Sequence, residues 1–394
     1  MISTRPTQTT EPRPTAGLGA VVATEAPRWP AVPGAAARLA APLVIIGSTS
    51  ALALLAWFAL APASAERAAF VPLLVGMVVL GLPHGALDHL VPVRMGVGWG
   101  RRPAAMALYL AGYAGLAAAY LALWTVAPVA AFIGFLVATV VHWGQGDVDF
   151  LERFLARRRA GVGGHAAAVV VRGALPIAVP VLAQPDVAAG LLATAAAATG
   201  GAIGSGIDLA APVVRWGLGL VLAVSLSAYL LGLRQAWTSW VGRTIDVGEV
   251  ALLATLFALV PAYLAIGTYF IAWHALRHLA RLLLLRDDDA RTIERGDLLG
   301  PGARLARDLV PITLLALGLL AALTAWSGPR IDGVEGFVAL YLVWISALTM
   351  PHLTLVAWMD VVQGRVGART GPRMRSARSM RSWRTSGPCA TRRS

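Results

Sequence analysis

The sequence predicts an all-α, polytopic transmembrane helix bundle of about ten spans, eight at the least, with polar disordered termini. Three observations lead there. The 394 residues are 57 % hydrophobic and only 13 % charged, with a mean hydropathy of +0.69, whereas soluble domains carry about 25 % charged residues. Apolar stretches of about 20 residues recur along the chain, the length that crosses a bilayer. The single cysteine, Cys389, has no partner, which excludes a disulfide-stapled secreted scaffold.

Residues 1–37 are rich in Thr, Pro, Ala and Arg, with no sustained apolar period, and read as a disordered polar head. They are too long and polar for a signal peptide. Candidate spans follow near 39–62, 68–92, 104–126, 128–150, 165–184, 211–232, 247–278, 308–326 and 336–360. The Ala- and Gly-rich stretch 186–206 is less hydrophobic, and charge decides how to read it. If it crosses, Arg94, Arg101, Arg102, Arg153 and the arginines from Arg277 to Arg307 share one side with both basic termini. Arg67, Arg234, Arg243 and Arg330 are left on the other side. That asymmetry matches the positive-inside rule, so 186–206 is expected to cross or re-enter, with both termini cytoplasmic in a multi-pass protein of the cell membrane. Residues 38–360 form one transmembrane domain, and 361–394, with nine arginines and no acid, a disordered basic tail. The basic excess thus lies in polar ends flanking a bilayer. It is not a basic face interleaved with aromatics, so nucleic-acid binding is not expected.

Chemistry gathers at histidines. His84 and His89 lie in Pro83-His84-Gly85-Ala86-Leu87-Asp88-His89, His142 precedes Trp143-Gly144-Gln145-Gly146-Asp147, His274 and His278 bracket Arg277, and His352 follows Pro351. The span order puts these segments near one membrane face. His274 and His278 stand at i and i+4, on one side of a helix, a spacing used for paired metal ligands. His84 and His142 join them from other helices as candidate ligands. Imidazole binds a divalent metal while neutral, the form that burial favours, and ionisable groups inside spans mark function. With no thiolate or dense carboxylate cluster in the core, the set suits iron, copper or zinc. Asp88, Asp147 and His352 are candidates for a supporting polar shell, Asp88 by orienting His84 four residues before it. His165 reads as interfacial, and Arg277 as snorkelling to headgroups. Trp143, Tyr263, Tyr269, Phe270 and Trp273 are candidates for an apolar substrate channel.

Gly81-Leu82-Pro83-His84-Gly85-Ala86-Leu87-Asp88-His89 closely resembles the signature of the Brp/Blh family of membrane-bound β-carotene 15,15′-dioxygenases. His142 with Gly144 and Asp147, Tyr269-Phe270 before Trp273-His274 and Arg277-His278, and Pro351-His352 agree in order and spacing, so the similarity runs from about 68 to 360. The resemblance implies a non-haem Fe(II) oxygenase that splits the central double bond of β-carotene with O₂ to give two retinal molecules. His84, His142, His274 and His278 correspond to its iron ligands. A lipid-soluble substrate and product suit a protein embedded in the bilayer, and the retinal raises a functional link to a retinal-binding rhodopsin. The competing reading is a proton-coupled transporter using a His/Asp relay.

Overall fold

A computed structural model describes residues 33–201, 208–209, 211–328 and 332–363, without the side chains of Pro33, Met77, His84 and Ser327. Of the expected disordered head 1–37 and tail 361–394, residues 1–32 and 364–394 lie outside the described residues; residues 33–37 are instead the first turn of the first long helix, and 361–362 still belong to the last one. The chain divides into two units, 27–357 and the terminal segments 1–26 with 358–394. The buried histidines lie in the first unit.

The described residues contain helices and their connections and no strand. In chain order the helices are α1 (Pro33–Leu60), α2 (Pro62–Arg67), α3 (Val71–Gly76), α4 (Leu82–Gly85), α5 (Val91–Arg94), α6 (Pro103–Val126), α7 (Pro128–Phe154) and α8 (Gly161–Ala183). They continue as α9 (Pro185–Thr199), α10 (Pro212–Ala236), α11 (Trp240–Leu259), α12 (Ala262–Tyr269), α13 (Leu276–Leu283), α14 (Asp287–Glu294), α15 (Leu299–Ser327) and α16 (Gly333–Val362). Proline opens α6, α7, α9 and α10, where its missing N–H costs no helical bond. Two π-helical turns, Met77–Gly81 between α3 and α4 and Phe270–Ala275 between α12 and α13, immediately precede or contain predicted site residues. Such turns recur at functional sites.

Among the described residues seven helices are long and apolar enough to cross a membrane by length and composition: α1, α6, α7, α8, α10, α15 and α16. Their outer faces stay apolar, as in Val213, Trp216 and Leu220 of α10 and Val310, Leu314 and Leu315 of α15, all exposed. A lipid solvent accounts for such faces and water does not.

Contacts between chain segments fix the run of each pass. At one end of the bundle Arg38 donates to the Glu294 carbonyl, Arg94 pairs with Asp308, and the Arg158 amide donates to the Ala236 carbonyl. At the opposite end Gln184 bonds Val260 and Ala262, Arg215 donates to the Leu182 carbonyl, and Thr199 donates to the Trp124 carbonyl. Both ends of α9 are therefore held at the second end. Its 15 residues extend about 22 Å, it stops at left-handed Gly200 (φ 72°), and it does not cross. This corrects the expected crossing for the described part of 186–206; residues 202–206 lie outside the described residues.

A second correction compensates for the first. The expected single span 247–278 is two antiparallel passes, α11 and then α12–α13, folded back at Val260–Pro261. Arg243, Asp246 and Glu249 hide α11 from a hydropathy reading. With the broken pass α3–α4, ten helical segments run from end to end among the described residues. Arg234 and Arg243 consequently move to the same end as Arg158 and Glu294, which sharpens the arginine asymmetry.

Candidate metal centre

Four imidazoles converge inside the bundle. His142 comes from α7, His274 from the π turn, His278 from α13 and His352 from α16, and all four are buried. Ring centres lie 4.9 Å apart for His142–His352, 5.1 Å for His142–His274 and 5.2 Å for His278–His352. His142–His278 and His274–His278 are wider, at 6.2 and 6.4 Å. The π turn leaves the His274 and His278 planes only 15° apart, so the i, i+4 pair does present one face. His142 is about midway along its 27-residue helix, deeper than the membrane face where the span order put it.

Metal–nitrogen bonds of about 2.1 Å set an imidazole centre about 3.2 Å from an ion, so cis ligands have centres about 4.5–5.2 Å apart. Three of the five measured pairs fall in that window, and two need closure of about 1 Å. Among the described residues no three His, Cys, Asp or Glu side chains already enclose an ion-sized point. The donor chemistry fits nonetheless: four buried imidazoles from three helical passes, with a carboxylate behind one of them. Asp88 stands 2.8 and 3.0 Å from His352 Nδ1 through its two oxygens, the arrangement that fixes a ligand's tautomer and directs Nε2. Tyr113 donates to Asp88 at 2.9 Å. Asp88 was expected to orient His84, and the partner found is His352. The His84 side chain lies outside the described part of the structure. Gly85, its neighbour, has its side-chain position 3.9 Å from His352 Nδ1, which brings this backbone to the cluster.

Asp147 and Arg277 meet in a buried ion-pair group, and Arg277 departs from the headgroup role expected of it. Asp147 is buried between Arg172 and Arg277 and accepts from Trp273 Nε1 at 3.0 Å. Arg277 does not snorkel: it pairs with Glu249 at 2.5 Å and lies over the rings of Phe150 and Trp273. Arg172, fully buried, also reaches Asp246 at 2.7 Å and Glu249 at 3.0 Å. Arg157, Tyr229 and Trp237 complete the shell of Asp246. Three arginines face three carboxylates, so the group is neutral as a whole and pins α7, α8, α11 and α13 together beside the histidines. Sequence reasoning missed Arg172, Asp246 and Glu249. An arginine in the middle of an apolar helix was the signal that could have found them. His165 pairs with Glu152 at 3.0 Å and is partly exposed, away from the cluster.

His142 and His352 form the inner wall of an apolar cavity. It extends along α7 to Phe132 and along α16 to Val338, about 15 Å towards the end that carries α9. A second chamber shares Phe132, Leu136, Ile177, Leu191, Tyr263 and Ile266 with it and continues to Gln184 and Ala188. Trp143, Tyr263 and Phe270 line the first cavity. Tyr269 and Trp273 do not: Tyr269 packs behind Trp143 and against Phe257, while Trp273 faces Asp147. Gly144 is also outside it, because a Cβ there would collide with the Val169 carbonyl of α8.

Together the fold and site define a class: a membrane-type helical bundle with a buried imidazole cluster at the wall of an apolar chamber. Comparison with known proteins narrows the class. Residues 75–360 match the family described as Beta-carotene 15,15'-dioxygenase. A relative from Halobacterium salinarum, named probable beta-carotene 15,15'-dioxygenase Blh, is 36 % identical over 342 residues, 83 % of this chain and 94 % of that one. A second, named probable beta-carotene 15,15'-dioxygenase Brp, is 29 % identical over 313 residues, 74 % of this chain and 83 % of its own. No solved structure matches. The chain belongs to the β-carotene 15,15′-dioxygenase family.

Proposed function

We propose that this protein cleaves β-carotene at the central 15,15′ double bond with O₂, giving two retinal molecules, at an Fe(II) held by the histidine cluster. The observation that carries the reading is the position of His142 and His352 at the inner end of a long apolar chamber, in a chain of this family. His142, His274 and His278 would hold the metal, with His84 and His352 as the remaining imidazole donors. Bound iron would supply the activation of O₂ that a closed-shell hydrocarbon cannot provide for itself. In the overall reaction the C15=C15′ double bond breaks and each carbon gains one oxygen atom.

The chain's own residues do the rest. Phe132, Phe135, Leu136 and Ile266 offer the polyene a carbon surface that excludes water. Phe270 and Trp143, 5.9 and 5.4 Å from the His274 ring, bound the space in which the reacting bond sits. Asp88 holds His352 in one tautomer. The ion-pair group holds Trp273 and Arg277, and through them the π turn that carries His274. A His/Asp proton relay is less well served, since Asp147 is locked between two arginines and the chamber wall is mostly carbon.

Expression in a β-carotene-producing host without a cleavage enzyme tests the proposal. Loss of orange pigment with accumulation of retinal, and about one iron per purified chain, is the expected result. Alanine at His142, His274 or His278 abolishes cleavage and lowers bound iron, whereas alanine at His165 changes neither. Undiminished pigment in the wild-type strain would overturn it.

A further inference from the structure

We infer that Thr139 is a catalytic residue whose hydroxyl donates a hydrogen bond to the oxygen that becomes the retinal carbonyl. The inference rests on the proposed carotenoid cleavage and adds a group that reading does not use. Thr139 lies on α7 one turn from His142, lines the same cavity as His142 and His352, and is 2 % exposed. Its Oγ1 has no hydrogen-bond partner. That is unusual in this fold, where helical threonines satisfy themselves on the carbonyl one turn back. Thr349, in the wall of the same cavity, donates to Ile345 at 2.7 Å, and Thr255, Thr313 and Thr324 do likewise at 2.8–2.9 Å. A buried hydroxyl is expected to find a partner, and Thr139 is one of the residues around the chamber.

The chemistry of the ligand sharpens the assignment. β-Carotene is a hydrocarbon and gives Thr139 nothing to donate to. The acceptor comes with the oxygen that is transferred to C15, and it persists as the aldehyde of retinal. The hydroxyl keeps its proton throughout. Its contribution is therefore confined to the reaction and the product, and an interaction of that kind raises kcat without lowering KM.

The test uses full-length protein and the pair Thr139→Val and Thr139→Ser. Valine should lower kcat about tenfold with KM for β-carotene unchanged, and serine should recover most of it. Binding of retinal to the metal-free protein, read by the absorbance shift of the chromophore, should weaken about fivefold in T139V and not in T139S. Binding of the corresponding hydrocarbon without the aldehyde should be the same in all three. Thr255→Val, on the exposed face of α11, serves as the control. Wild-type kcat and retinal affinity in T139V would overturn the assignment, as would a serine variant that behaves like valine. If the wild-type protein cleaves no carotenoid, the functional proposal fails; cleavage that is indifferent to T139V fails the Thr139 assignment alone.

Discussion

Replacing Arg172 by methionine exposes how the buried charges support the centre. The side chain is fully buried and touches Asp147, Asp246 and Glu249. Its loss leaves those three carboxylates facing Arg157 and Arg277 alone, one negative charge in excess and away from water. Breaking a buried ion pair by removing one partner costs about 3–5 kcal/mol, and the geometry here places Arg172 at the upper end, because every hydrogen-bonding edge of its guanidinium is engaged. Unfolding from mixed micelles by SDS titration, followed by circular dichroism, measures the loss. Adding Glu249→Gln restores neutrality, with Arg157 and Arg277 facing Asp147 and Asp246. The double variant should be more stable than the sum of the single effects by about 1–3 kcal/mol, the range for residues that share a network. A single variant within about 1 kcal/mol of wild type, or strict additivity in the cycle, would refute the idea that these charges act as one neutral unit.

Other outcomes follow from named contacts. His352→Ala should lower bound iron and abolish cleavage, while Asp88→Asn should reduce iron affinity about 10- to 100-fold; iron content by metal analysis checks both. Reporter fusions after residues 98, 160, 240 and 290 should all report one side of the membrane and fusions near 65 and 331 the other, and a divided result among the first four would break the order of passes. Leu136→Trp fills the chamber about 9 Å from His142 and should suppress cleavage with iron retained. Gly144→Phe should instead fail to assemble, because it drives α7 off the Val169 carbonyl, and low yield with loss of the folded circular-dichroism signal reports it.

The helical class was legible because a lipid solvent imposes one rule on every residue that faces it, and apolar runs such as 104–126 and 211–232 reproduce α6 and α10 closely. Segment 247–278 failed for the same reason. Asp246 and Glu249 face Arg172 and Arg277, so their cost is met by partners on other helices, and local hydropathy carries no record of partners distant in sequence. The histidines that meet were legible too, His274 and His278 from spacing and His142 from its place on a span. His352 was underestimated: a lone histidine after a proline gives no sign that Asp88, 264 positions away, stands behind it. The flat course of α9 was unreadable because its alanines and glycines suit lipid, a helix interface or a membrane surface equally well.

The depth of the cluster decides how a long substrate can lie. Histidines at one membrane face would have forced a carotenoid of about 30 Å, close to the hydrocarbon thickness of a bilayer, to lie sideways between helices to bring its middle to the metal. The fold removes that constraint. His142 sits midway along α7, and the apolar chamber runs outward beside it, parallel to the helices, for about 15 Å. That is half the length of the polyene. On the carotenoid reading, a half-molecule lying along the helices with its terminal ring near Phe132 and Leu191 would bring the central bond to the imidazoles as a matter of length. The wall is mostly smooth carbon, with no polar ladder to grip a hydrocarbon along its axis, so position is set by where the chamber ends. On that reading central cleavage would need no recognition of the bond itself, because the distance from the far end of the cavity to His142 would select it.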